Sequence, residues 1–208
     1  MLADTWAYDG KDECLQFFTL ALHTIRPPVP ASGSLLEIGC AEANWLALAQ
    51  KAWPDLTLTG IDWRRCENRP GTTIQGDVLT HVFPAESFDL IVSVSAIEHI
   101  GLGHYSKDPV DADGDTKAIA NAYRWLKPGG WLFFDVPWNA GDAYQVVGTS
   151  HRIYDEATHR SRLCRQPWVE HGRVTARPRM SHVEVAPSRL PGEGFFYQGV
   201  WWRKPHAA

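Results

Sequence analysis

In this 208-residue chain, residues 35–45, Leu-Leu-Glu-Ile-Gly-Cys-Ala-Glu-Ala-Asn-Trp, indicate the fold class. Their apolar segment Leu35–Ile38 predicts a short buried strand that ends at Gly39. Because Gly39 has no side chain, the backbone can turn tightly there and approach a ligand closely. The following residues, Asn44–Ala52, predict a helix. A strand, a glycine turn and a helix in this order form the opening unit of a parallel α/β sheet.

Strand and helix patterns continue to alternate along the chain. Further strands are predicted at Leu56–Ile61, Thr72–Gln75, Phe88–Val94, Trp131–Val136, His182–Ala186 and Phe195–Trp202. Helices are predicted over Ile119–Leu126, which ends at Lys127-Pro-Gly-Gly, and over Asp155–Cys164. The predicted fold class is α/β: a Rossmann-like, doubly wound, mostly parallel seven-stranded sheet with helices on both faces.

The chain before residue 34 has a different pattern. Apolar residues recur at helical spacing over Lys11–Ile25, and the proline-rich run Arg26–Pro30 ends the pattern. We therefore expect residues 1–33 to form a helix and a proline-rich linker packed on the domain. Residues 34–208 are expected to form a single domain, and the chain is long enough for one sizeable core.

Composition is that of an ordinary globular protein. Hydrophobic residues make up 44% and charged residues 21%, and the formal net charge is −4, which gives no general attraction to nucleic acid or anionic membranes. No segment reaches the roughly 18 apolar residues of a membrane helix, and the N-terminus lacks the pattern of a secretory signal. The four scattered cysteines indicate reduced thiols, with neither a zinc site nor a disulfide framework. We therefore expect a cytoplasmic protein.

Acidic residues follow the second and third predicted strands. Ligands of such sheets bind beyond the carboxyl ends of the strands, near the point where the strand order reverses. Asp62 could accept hydrogen bonds from both hydroxyls of a ribose. Asp77 could accept one from the amino group of adenine, with a backbone N–H alongside. Together the two acids predict an adenosine site.

The residues of the first turn select among adenosine cofactors. A dinucleotide fold requires G-x-G-x-x-G, and the corresponding positions here are Gly39, Ala41 and Asn44. The chain also has no P-loop motif. Glu37 and Glu42 would repel phosphates, but they suit the cationic amine and sulfonium of S-adenosylmethionine (SAM). The turn therefore predicts SAM as the cofactor.

Five short motifs occur in a fixed order across residues 35–134. They are Leu36-Glu-Ile-Gly-Cys-Ala, Thr59-Gly-Ile-Asp, Gln75-Gly-Asp, Phe88-Asp-Leu-Ile and Leu126-Lys-Pro-Gly-Gly-Trp-Leu. In this order they resemble the motifs of class I SAM-dependent methyltransferases, which implies that family's fold and cofactor. The candidate cofactor-binding residues are Glu37, Gly39, Cys40, Ala41, Asp62, Trp63, Gly76, Asp77, Val78, Ser95 and His99. Ala41 and Ala43 replace two glycines of the family's pattern, and we expect tighter packing against SAM there.

A narrower resemblance lies in three later segments. Glu98-His-Ile-Gly-Leu-Gly-His-Tyr, Asp108-Pro-Val-Asp-Ala-Asp-Gly-Asp and His151-Arg-Ile-Tyr resemble a predicted methyltransferase family long filed as a domain of unknown function. Members of that family often accompany bacterial polysaccharide or sugar-modifying enzymes. The resemblance implies a carbohydrate-type acceptor.

Methyl transfer to a hydroxyl requires alignment of donor and acceptor and removal of a proton. Histidine titrates in the useful range, so His104 and His151 are candidate bases, whereas His99 is expected to form a wall of the cofactor pocket. Asp113 is expected to face the acceptor.

The aspartate-rich loop that contains Asp113 supports three hypotheses. Its acids could bind a divalent metal that orients a sugar diol, or they could bind substrate hydroxyls directly. The third hypothesis, which we favour over the metal, is a solvated loop in which Asp115 caps the next helix.

The sequence therefore predicts a SAM-dependent methyltransferase that acts on a small hydroxylated acceptor such as a sugar or glycan precursor. The expected partner is a small molecule; nucleic acid, a membrane and a metal are not expected. Two alternatives remain open: a SAM-binding module of the same fold without turnover, and a methyltransferase that acts on another acceptor class such as RNA.

Overall fold

The computed structural model describes residues 27–41, 45–67, 69–105, 108–139, 143–176 and 196–206. Its strands are β1 (Ser34–Ile38), β2 (Thr57–Asp62), β3 (Thr72–Gln75), β4 (Phe88–Ser93), β5 (Leu126–Trp138), β6 (Gln145–Val147), β7 (His151–Ile153), β8 (Val169–Ala176) and β9 (Phe196–Arg203). Its helices are α1 (Trp45–Ala52), α2 (Gly114–Trp125) and the short α3 (Glu156–Thr158), which continues as a wider π-helical turn over His159–Leu163. A 3₁₀ turn covers Ile97–His99.

Seven strands form one sheet in the order β3-β2-β1-β4-β5-β9-β8, and β6 pairs with β7 in a separate hairpin. Strands β1 to β5 pair in parallel, whereas β9 is antiparallel to both β5 and β8. The predicted mostly parallel seven-stranded sheet is therefore confirmed. The strand order reverses between β1 and β4, and this is where a doubly wound sheet opens a crevice.

Helices cover both faces of the sheet because successive strand residues point to opposite sides. Leu35 packs in one cluster with residues of α1, and the adjacent Leu36 packs in the other cluster with residues of α2. The neighbouring tryptophans of β9 divide in the same way: Trp201 lies in the first cluster and Trp202 in the second, both fully buried. These two adjacent tryptophans thus contribute to the cores on opposite faces of the sheet.

The sequence prediction is wrong at the end of α2 and at β8, and it also lacks the β6–β7 hairpin. Leu126 begins β5 and does not continue the helix, because its backbone is extended and it pairs with Phe88 of β4. The strand β8 was not predicted, since Val169 at its start is exposed and a bulge interrupts its pattern between Glu170 and Gly172.

Two further predictions fall on residues outside the described ranges. They are the strand at His182–Ala186 and the helix at Lys11–Ile25, so the division into residues 1–33 and 34–208 stays a prediction. Among the helices that are described, none is long and apolar enough to cross a membrane.

Arg152 of β7 holds together the loop that precedes α2. Its side chain is 1% exposed, and its guanidinium donates to the backbone carbonyls of Glu98 and Ile100 at 3.2 and 2.7 Å. It also donates to the carbonyls of Asp111 and Ala112, both at 3.4 Å. A single buried cation thus joins the 3₁₀ turn, the aspartate-rich loop and the β6–β7 hairpin.

Asp115 balances this buried charge. It is fully buried and accepts hydrogen bonds from the Tyr154 hydroxyl at 2.7 Å and from Arg162 at 2.6 and 2.9 Å, with Arg152 Nε at 3.7 Å. Burial by itself would raise the pKa of Asp115, but the two arginines and the tyrosine hydroxyl outweigh it and lower the pKa. Asp115 is therefore not a helix cap, as the sequence had suggested; the residue at the cap position of α2 is Asp113.

We predict that Asp115→Asn lowers the free energy of unfolding by about 3 kcal/mol, because it leaves buried guanidinium charge without a counter-ion. Urea denaturation measures this change. The matched control is Asp113→Asn, two residues away and 57% exposed, which should unfold like the wild type. Equal stability of the two variants would contradict the assigned role of Asp115.

Candidate active site

A cleft of about 900 Å³, which includes space open to solvent, lies at the carboxyl ends of β1 to β4. Of the predicted cofactor-binding residues, those that line it are Gly39, Asp62, Trp63, Gly76, Asp77, Val78, Ser95 and His99. The sequence did not indicate several other lining residues, which include Arg64, Leu79, Ala96 and Ile100, whereas Asp108 of the aspartate-rich loop also lines the cleft. The carboxyl ends of the parallel strands thus bring together turns that are far apart in the chain.

Gly39 allows the turn after β1 to pack against the turn after β4. Its φ is +90°, and a Cβ added to it would lie 2.3 Å from the Cβ of Ala96. Its N–H donates to the carbonyl of Ile61 at 2.8 Å, which ties the same turn to the end of β2. Backbone conformation and space both require glycine at this position.

Glu37, Cys40 and Ala41, also predicted to bind the cofactor, do not line the cleft. Glu37 is fully buried, and burial raises its pKa well above its ordinary value although the nearby Arg69 opposes the shift. Ala41 donates its backbone N–H to Asp62 at 3.0 Å, and Cys40 is buried beside Cys66. The three residues support the turn from behind.

Asp62 presents its carboxylate at the wall of the cleft. In addition to the Ala41 bond it accepts the backbone N–H of Arg64 at 2.8 Å and the Arg64 Nε–H at 3.1 Å. The Arg64 guanidinium carbon also lies 3.8 Å from the centre of the Tyr105 ring, within the range of a cation–π contact. Two backbone donors hold the carboxylate in place, and the Arg64 side chain covers it.

Asp77 forms the turn after β3. One carboxylate oxygen accepts the Leu79 N–H at 2.8 Å, and its carbonyl accepts the N–H groups of Thr80 and His81 at 3.1 and 2.8 Å. Asn121 of α2 donates to the Val78 carbonyl at 2.9 Å. The turn is therefore fixed from the helix side, and Asp77 and Val78 both line the cleft.

Ser95 has a backbone conformation that side chains rarely adopt, with φ of +47°. Such a conformation costs about 1–2 kcal/mol. The Asp135 carboxyl of β5 sustains it by accepting the Ser95 N–H at 2.6 Å and the Ser95 hydroxyl at 3.0 Å. A residue buried behind the cleft thus determines where Ser95 lies.

Asp135 and Glu98 form a buried acidic pair. Asp135 is fully buried and Glu98 is 2% exposed. Burial, and then the charge of Glu98, raises the pKa of Asp135 to about 8. Burial likewise raises the pKa of Glu98 to about 8, against the opposing charge of Arg152. Both carboxyls therefore retain protons near neutral pH.

Three histidines from two distant segments meet at one end of the cleft. The rings of His99 and His104 stack with centres 5.2 Å apart, and the ring of His151 lies 6.3 Å from His99. His99 lines the cleft and hydrogen-bonds through Nδ1 to the Ser150 carbonyl. His104 is exposed and His151 is half-buried, and neither lines the cleft. Burial, and then the charges of His99 and His104, lowers the pKa of His151.

The aspartates of the following loop separate into different environments. Asp108 lines the cleft, and its Oδ1 is buried without a hydrogen-bond partner among the described residues. Asp111 pairs with Lys117. Asp113, expected to face the acceptor, does not line the cleft and lies 3.4 Å from Arg162. Across the described ranges, no group of three or more His, Cys, Asp or Glu side chains is arranged to hold a metal ion.

The chain matches the model of a protein family described as a methyltransferase domain over residues 4–175, and it belongs to that family. The class of protein inferred from the motifs is therefore confirmed. No curated protein gives a significant match to the sequence.

Solved structures share the fold. The 1,6-didemethyltoxoflavin-N1-methyltransferase of Burkholderia thailandensis, solved with S-adenosylhomocysteine (SAH), has a TM-score of 0.64 at 15% identity, with 98% of this chain and 82% of that chain covered. The N-methyltransferase NodS of Bradyrhizobium japonicum, also solved with SAH, has a TM-score of 0.58 at 20% identity, with 99% and 97% covered. The cyclase SpnF has a TM-score of 0.68 at 15% identity, with 97% and 86% covered. The fold thus serves more than one chemistry.

The acidic pair predicts a pH-dependent stability. In the unfolded chain Asp135 and Glu98 ionise near their ordinary pKa values of 3.8 and 4.5, whereas in the folded chain they keep their protons up to about pH 8. Between these limits the folded state binds more protons, so the free energy of unfolding falls as pH rises. The fall approaches about 1.4 kcal/mol per pH unit for each group.

Urea denaturation between pH 6.5 and 8 measures this slope. This pH range lies above the ordinary histidine pKa of 6.5, so the measured slope reports mainly the acidic pair. The variant Glu98→Gln/Asp135→Asn should lose most of the slope, and Asp135→Asn alone a part of it. Glu67→Gln, on an exposed side chain, should keep it. An equal slope in the wild type and in the double variant would show that the pair is ionised in the folded protein.

Proposed function

We propose that this protein is a SAM-dependent methyltransferase whose acceptor is a small hydroxylated molecule such as a sugar or glycan precursor. The observation that carries the proposal is the cleft of a methyltransferase-family chain that Gly39, Asp62 and Asp77 line together, at the ends of the neighbouring strands β1, β2 and β3. Two carboxylates at neighbouring strand ends, beside a glycine turn that permits a close backbone approach, suit an adenosine group.

The residues of the cleft fit SAM in their chemistry. Asp62 would accept hydrogen bonds from the two ribose hydroxyls once the Arg64 side chain moves away. Its two backbone donors already hold the carboxylate in place. Asp77 would accept from the adenine amino group, with the Val78 N–H beside it. Gly39 leaves room for the cofactor against the β1 turn. SAM, when bound, supplies a methyl group that its sulfonium has already activated.

His99 is the base that the geometry favours for a hydroxyl acceptor. A carbonyl oxygen can only accept, so the bond to Ser150 places a proton on Nδ1 and leaves Nε2 as the basic nitrogen. Glu98 Oε1 lies 3.6 Å from that nitrogen, and because Glu98 keeps its proton near neutral pH, His99 would gain its positive charge without an ionised partner there. His104 and His151, the candidates from sequence, would act through their contacts with His99. We assign no role in the reaction to Asp113.

Asp108 supports a polar acceptor. Its buried Oδ1 can accept a hydrogen bond from a hydroxyl of a sugar, and a carboxyl left without a partner inside a cleft is costly. The same oxygen could instead accept a hydrogen bond from a cationic amine, so methylation of a small amine is the second candidate function. The two candidates differ in the acceptor atom and share the cofactor site.

We predict that the wild type binds SAH and that Asp62→Ala weakens binding by about 10- to 100-fold, because hydrogen bonds to a charged acceptor are lost. Isothermal titration calorimetry measures both dissociation constants, and the melting temperature checks folding. Asp55→Ala changes an exposed aspartate before the other end of β2 and should bind normally. Absence of binding by the wild type, or full binding by Asp62→Ala, would count against the cofactor assignment.

We further predict that His99→Gln lowers kcat about 100-fold while the dissociation constant for SAH changes less than about tenfold, because general-base catalysis contributes on this scale. The assay follows SAH formation by mass spectrometry over a panel of monosaccharides, oligosaccharides and nucleotide sugars, with small amines as a second panel. His171→Gln, at an exposed histidine, is the control. Turnover with amines alone would replace the hydroxyl acceptor. No turnover with either panel, together with tight SAH binding, would favour a binding module.

A further inference from the structure

Two cysteines that are distant in sequence meet behind the cleft. The Sγ atoms of Cys40 and Cys66 lie 2.8 Å apart, and both side chains are free thiols. A disulfide bond is about 2.0 Å long, so a small movement would join them. The scattered spacing of the cysteines had indicated no such pair.

The pair connects two turns that line the cleft. Cys40 follows Gly39 in the turn after β1, and Cys66 lies in the loop that begins at Asp62 and contains Arg64. A bridge between the sulfurs would therefore tie together the two segments that carry the proposed ribose site.

Gly60 of β2 provides the space for the Cys40 sulfur. A Cβ on Gly60 would lie 2.7 Å from Cys40 Sγ and 3.0 Å from Cys40 Cβ. Glycine weakens a strand interior and often marks a close approach of another group. The missing side chain of Gly60 thus leaves room for the sulfur pair beside the sheet.

The two thiols differ in access to solvent. Cys40 is fully buried, whereas Cys66 is half-buried. Burial, the hydrogen bond to Cys66 and the charge of Glu37 raise the pKa of Cys40. Burial raises the pKa of Cys66, although the Cys40 hydrogen bond opposes the shift. Both groups are therefore thiols near neutral pH, and reaction with an oxidant should begin at Cys66 and accelerate as pH rises.

We propose that Cys40 and Cys66 form an oxidative modification site, at which a hydroperoxide closes a disulfide bridge between the two turns. The Cys66 sulfur attacks hydrogen peroxide, breaks its O–O bond and becomes a sulfenic acid as one water leaves. The Cys40 sulfur then attacks the Cys66 sulfur, the S–O bond breaks, and a second water leaves with the Cys40 proton. The two thiols together lose two electrons and two protons, and one peroxide is reduced to two waters.

The bridge has a consequence that rests on the proposed function. In the present arrangement Arg64 donates to Asp62 through its backbone and its guanidinium. A bridge at Cys66 holds the loop in this arrangement, in which the carboxylate is covered. We expect the oxidised protein to bind SAH about tenfold more weakly, on the scale of one charge-assisted hydrogen bond.

The test uses the full chain with Cys14→Ser and Cys164→Ser, which leaves only the two cysteines of interest. After treatment with hydrogen peroxide at pH 7 and pH 9, alkylation, intact mass and peptide mapping detect the bridge without reference to any cofactor. Calorimetry with SAH then compares the reduced protein, the oxidised protein and the oxidised protein after dithiothreitol. Cys66→Ser in the same background is the control that cannot form the bridge.

The expected result is a 40–66 cross-link that forms faster at pH 9, with SAH affinity lowered on oxidation and restored by dithiothreitol, and no such cycle in Cys66→Ser. Normal SAH binding without a cross-link would overturn the modification site and leave the proposed function standing. A cross-link with unchanged SAH affinity would overturn its effect on the cofactor. A cross-link in a protein that binds no SAH in either state would support the site and reject the proposed function.

Discussion

The turn after β1 touches the turn after β4 where Gly39 faces Ala96, and the shape of the cleft depends on this contact. A Cβ at Gly39 would lie 2.3 Å from the Cβ of Ala96, so a side chain there would separate the two turns. The contact lies where the strand order reverses, and there the sheet opens a crevice between its two helical layers. On the β4 side the turn is held by Ser95, whose strained backbone is sustained by Asp135.

The two ends of the cleft are built by different forces. At the proposed cofactor end, backbone N–H groups and short turns place Asp62 and Asp77, so the geometry is local to each strand end. At the proposed acceptor end, a buried cation gathers loops from distant parts of the chain. Arg152 donates to four backbone carbonyls there, and Asp115 neutralises it. Removal of that charge pair would release the loops that carry the histidines.

Predictions from sequence succeeded where a short pattern determines a local structure. Strands β1 to β4 and β9, and the residues directly after them, were predicted within a residue or two, because short runs of this kind have few alternative conformations. The prediction of β8 failed because an exposed start and a bulge hide its periodicity. The end of α2 was misplaced because Leu126 is apolar in either structure, and only its pairing with Phe88 decides between them.

The class of fold, the family and the strand ends that line the cleft were all predictable from the amino-acid sequence, because each depends on residues adjacent in the chain. What those residues contact follows from the folded structure. It buried Glu37 behind the turn, placed Arg64 over Asp62, separated Asp113 from the cleft, and brought Cys40 to Cys66 and His151 to His99. Such contacts join segments far apart in the chain, and their formation depends on packing and on the balance of buried charge, which no spacing of residues records.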